Sequence, residues 1–131
     1  MNEKHILNRA LDKAQSGDID GALALLNEAP NEDMNENVFG MIYFLLMAKD
    51  RKEDAIALAT RCLTHPSEDL IQSKWFLRRG MLQLNLNQKD KAQADFAEVL
   101  KLRANEDHVR QVGQAMANFL DQSSSKKKDG P

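Results

Sequence analysis

Apolar residues recur along this chain at steps of three and four, and stretches that alternate in twos are almost absent, so the pattern predicts helices and no sheet. Ile6, Leu7, Ala10, Leu11 and Ala14 mark the buried face of a first helix, and Ile19, Ala22, Leu23, Leu26 and Ala29 that of a second. The run from Val38 to Ala48 is apolar nearly all round, as in a helix with neighbours on several sides. Ala55, Ile56, Ala59, Cys62 and Leu63 form the fourth stripe, which stops at His65-Pro66 because the residue before a proline avoids helical angles. Ser67 is placed to cap the fifth helix, with Glu68 and Asp69 in its first turn. Leu70, Ile71, Trp75, Phe76, Gly80, Met81 and Leu84 follow on that helix, and Ala92, Phe96, Val99 and Leu100 on a sixth. Val109, Val112, Met116, Phe119 and Leu120 predict a seventh, from about Glu106 to Leu120. Residues 122–131 carry Ser123 to Ser125 and Lys126 to Lys128 with no apolar side chain except Pro131, and are expected to be a disordered tail.

A longer period overlies the helical one. Gly17 precedes Ala22 by five positions, as Asp50 precedes Ala55 and Asn87 precedes Ala92, and the three alanines are 33 and then 37 residues apart. Such spacing is the length of a two-helix unit, with a turn residue between its helices. The second interval is longer by four residues, about one helical turn, which Asp69 to Gln72 supply at the start of the fifth helix.

These residues resemble the tetratricopeptide-repeat family, whose pattern joins a small residue in the first helix to Ala-x3-Phe in the second. The third unit matches best, with Gly80 twelve residues before Ala92 and Phe96 at the correct step. The first keeps Ala10, Gly17, Ala22 and Leu26 at the same offsets. In the second, Asp50, Ala55 and Ala59 fit, but Tyr43 stands at the small position; a helix three residues longer would restore the motif through Phe39-Gly40-x2-Tyr43, so two registers remain.

The resemblance implies an all-α fold, a right-handed superhelical array of helix-turn-helix repeats with about seven helices. Its units would span about 3–35, 36–66 and 67–105, with a capping helix over 106–121 closing a domain of residues 1–121. It also implies a concave groove lined by the first helix of each unit. Aligned with the family, the groove positions include Leu7, Leu11, Asn37, Phe44, Met47, Lys74, Leu77, Arg78 and Met81. One branch of the family grips a terminal carboxylate with Lys and Asn residues in the first two units and Lys and Arg in the third. Lys74 and Arg78 match the last pair, but Leu7, Leu11 and Met41 stand where the other polar members belong, so the full clamp is rejected. The remaining groove is apolar and rich in methionine and leucine, suited to an amphipathic helix or an extended apolar segment of another protein. Small bacterial secretion chaperones of this family have that character.

Charge and composition narrow the chemistry. Eighteen basic residues are scattered among 20 acidic ones for a net charge of -2, without the basic excess that phosphate neutralisation calls for. An RNA-binding helical repeat is therefore the alternative, and no nucleic-acid partner is expected. His5, His65 and His108 fall in different units, and no nucleophile stands beside a recognisable base, so no catalysis, metal or cofactor is expected. Cys62, three residues from His65, lies on an apolar stripe; a small enzyme using it is the less favoured alternative. One cysteine also fits a reducing compartment. With no signal-like leader and a longest apolar run of eleven residues, a cytoplasmic protein without membrane insertion is expected. Self-association through a terminal unit or the seventh helix is a further expected option.

Overall fold

The computed structural model describes residues 3–29, 35–65 and 67–128, with side chains over 6–29, 35–65 and 67–118. Seven helices make up these residues, and none of them is in a strand. They are α1 (Glu3–Gln15), α2 (Ile19–Glu28), α3 (Glu36–Ala48), α4 (Lys52–Thr64), α5 (Asp69–Asn85), α6 (Lys89–Leu102) and α7 (Glu106–Lys128). The chain divides into two compact units after His65. In the first, α1 packs on α2, α3 packs on α4, and α1 also meets α3. In the second, α5 packs on α6, and α7 rests on both.

The three helix pairs close through one device. Gly17, Asp50 and Asn87 all adopt positive φ, at 98°, 57° and 63°. At each turn the following amide reaches back five residues, from Asp18, Arg51 and Gln88 to the carbonyls of Lys13, Leu46 and Gln83, every one at 2.8 Å. The positive-φ residue bonds three back, to Ala14, Met47 and Leu84. Together these bonds satisfy the orphan carbonyls of the first helix and turn the chain within three residues. Glycine, asparagine and aspartate are the residues that tolerate this conformation. Gly17→Ala should therefore cost about 1 kcal/mol, read as a lower urea midpoint with an unchanged slope; its added Cβ meets nothing within 4 Å, so the loss would be conformational alone.

Counting from these turns, Ala10, Tyr43 and Gly80 are equivalent, and so are Leu26, Ala59 and Phe96. All six are buried. At Gly80 the reason for the small residue is direct: a Cβ there would lie 2.6 Å from the Phe96 ring. By residue size the two positions vary in opposite directions, Gly80 with Phe96, Ala10 with Leu26 and Tyr43 with Ala59. In the second pair the Asp50 turn puts Tyr43, not Gly40, at the position that Gly80 holds in the third.

The core of the second unit gathers Leu77, Ala92, Phe96, Val99, Val112 and Ala115, with Phe76, Leu84 and Met116 packed against it. Its first helix is 17 residues long against 13 for α3, and the surplus is Asp69 to Gln72. The cap at its start differs from expectation. Helix α5 opens at Asp69, so Glu68 holds the capping position without a side-chain bond, and Ser67 instead has its carbonyl bound by the Gln72 side-chain amide at 2.8 Å. Helix α7 also runs on, to Lys128 rather than Leu120. Serine and lysine carry no helix-breaking geometry, and Gly130 and Pro131 lie beyond its end. Of the expected tail, residues 122–128 are thus helical in backbone, and 129–131 lie outside the described residues.

Candidate interaction surface

The nine groove positions separate into distinct environments. Leu7 is 1% exposed and Leu77 is 7% exposed. Both are interior side chains, Leu77 sharing a cluster with Val112 and Ala115 of α7, so neither lines a surface. Leu11 is half-buried and Asn37 is exposed. Phe44 is 61% exposed, Met81 41% and Met47 36%. Leu11, Phe44 and Met81 are also equivalent when counted from the turns, each standing six residues before Gly17, Asp50 or Asn87. The same position of the first helix of every pair thus carries a large apolar side chain that its own unit does not bury fully.

In the first unit this position sits in an apolar stripe. Met41 and Met47 lie one turn to either side of Phe44 on α3, a spacing that keeps them on adjacent parts of one face. Met41, 46% exposed, extends this surface beyond the nine expected positions. At Gly40, next to Met41 in the chain, a Cβ would meet nothing within 4 Å. The Phe44 ring is held edge-on by Tyr43 at 5.6 Å between centroids, a geometry that favours one ring orientation. Methionine adapts its shape and phenylalanine anchors, a combination suited to apolar side chains of another polypeptide.

On α5 the surface is of mixed character. Leu70, 48% exposed, and Met81 lie on one helical face with Lys74 between them. The Lys74 Nζ and the Arg78 Cζ stand 5.6 Å and 4.8 Å from the centroid of the buried Trp75 ring. Both cations therefore lean on the indole, and their stems cover apolar area as well as carrying charge.

Sequence pattern misses polar side chains whose partners lie far along the chain. Asp95, 4% exposed, accepts two bonds from Arg79, at 2.8 and 2.7 Å. A third comes from the Gln83 amide at 2.5 Å, so α6 is tied to α5 by a satisfied buried network. Ser73, fully buried, is hydrogen-bonded to His108 Nδ1 at 2.8 Å. This pair joins a hydroxyl to an imidazole, the elements of an activated nucleophile. A hydroxyl with no exposure, however, is out of reach of a substrate, and the bond serves to fasten α7 to α5.

The other candidate chemistry is similarly enclosed. Cys62 is buried at 3% exposure on the inner side of α4. A cleft of about 230 Å3 on the first unit is lined by Leu23, Leu26, Ala57 and Leu58 with Asn27 and Arg61, smaller than the sites that enclose typical organic ligands. Arg61 is committed to structure there: it donates to the Ala29 carbonyl at the end of α2 and lies 6.0 Å over the Phe39 ring. Among the described residues no helix is long and apolar enough to cross a membrane. No family model, curated protein or solved structure matches the chain.

Proposed function

We propose that the chain is a non-catalytic protein-binding module, or a small chaperone, that takes an amphipathic helix or an extended apolar segment of another protein on the first helices of its repeats. Under this reading the three helix pairs are tetratricopeptide-like units of a right-handed superhelical array, with α7 as the cap. The observation that carries it is the recurrent position Leu11, Phe44 and Met81, flanked on α3 by Met41 and Met47. Other residues of the same helices fill the interior of each unit, which leaves these large apolar side chains to a surface.

Fully burying a phenylalanine or methionine contributes roughly 1.5–3 kcal/mol, so Phe44 and its neighbours are sufficient to anchor a short segment. Lys74 and Arg78, resting on Trp75, add positive charge beside Leu70 and Met81 and favour acidic groups in that part of the partner.

Phe44→Ala combined with Met81→Ala tests the reading. The tagged double variant should lose, by tenfold or more, the proteins that the native chain captures from cell extract. Its helix content should be unchanged and its stability within about 1 kcal/mol, as expected of exposed positions. Undiminished capture would refute the reading, and loss of helix content would assign both side chains to the core.

A further inference from the structure

We propose that the first turns of α7 form a pH-controlled latch on α5, closed while the His108 ring is neutral and opened when it takes up a proton.

The latch is built from both sides. Asn105 caps α7, its side chain accepting from the amides of Asp107 at 2.8 Å and His108 at 3.3 Å, which fixes the imidazole on the turn that faces α5. Across the contact the ring meets the wholly buried Ser73 hydroxyl at 2.8 Å. One and two turns further along α7, Val112 and Ala115 enter the cluster of Leu77, Phe96 and Val99, with Met116 packed against it. Among the described residues Val112, Ala115 and Met116 are the α7 side chains in or against this cluster, and the His108–Ser73 bond adds a polar fastening to them.

The surroundings of the ring, burial first among them, oppose protonation in place. Burial lowers the affinity of His108 for a proton; Asp107 raises it, and Lys74 and Arg78 of α5 lower it again, for a net shift downward. Helix α6, also packed on α7, supplies no charged group that acts on the ring among the described residues. Asp107 is itself paired with Arg110 at 3.0 Å and largely exposed, which blunts its pull. Because the docked pKa lies below the free value, docking is favoured above the free pKa and loses that advantage as pH falls through the docked one. A ring that has left α5 is solvated, so acid selects the open form.

Hydrogen exchange of the full-length chain between pH 7.5 and 5.5, corrected for intrinsic rates, tests this. That window lies above the ordinary carboxylate range, leaving His108 as the titrating group at this contact. Protection of the amides of 109–116 should fall with pH, by up to about tenfold for each unit separating the docked and free midpoints, while α1 to α4 hold theirs. In His108→Gln the protection should stay flat. A flat profile in the native chain, or the same fall in the variant, would overturn the latch. Should the variant lack protection at every pH, the imidazole resonance of the native chain decides: a midpoint below the ordinary 6.5 supports the latch, and one at or above it refutes it.

Discussion

Phe96→Ala is expected to lower the free energy of unfolding by about 3–5 kcal/mol. The ring is 2% exposed and fills the space that Gly80 leaves open on α5. No side chain of Gly80 exists to move into the vacated volume, and Ala92 and Val99, the neighbours one turn away on α6, are short. The cavity therefore persists, and the cost falls at the upper end of what such truncations give. Urea unfolding followed by far-ultraviolet circular dichroism measures it; a loss under about 1 kcal/mol would mean that the hairpin collapses around the gap.

Asp95→Ala should cost nearly as much, about 3 kcal/mol, because removing one partner of a buried ion pair strands the other. Arg79 is 21% exposed, which lets some water reach the abandoned guanidinium and keeps the loss below the extreme of that range. Gln83 at 5% exposure has no such relief. Asp95→Asn keeps the shape and one acceptor, so its smaller loss, compared with alanine in the same urea experiment, separates the charge from the hydrogen bonds. Equal losses for the two variants would show that charge alone matters.

Helix number and turn positions were legible because each rests on a local rule. Three-and-four spacing belongs to helices, and Gly17, Asp50 and Asn87 are residue types that accept the left-handed conformation. The surface was harder to read. Leu7 and Leu11 are four residues apart, and on a helix packed on more than one side the apolar stripe is wide enough to contain both an interior and a half-buried member. Pattern alone therefore groups Leu7 and Leu77, which are interior, with Phe44 and Met81, which are not. Asp95 left a faint trace, an acidic residue beside Phe96 and three after Ala92, on the buried face. Ser73 and His108 left none, being 35 residues apart and each ordinary in its own helix.

The fit of Phe96 into the space beside Gly80 makes the α5–α6 pair a matched lock and key. Grafting α3 in place of α5 would bring Tyr43 to the position of Gly80, against the Phe96 ring. Neither position can drift alone without an intermediate that is overfilled or hollow. Replacing either residue is therefore tied to a compensating change in the other.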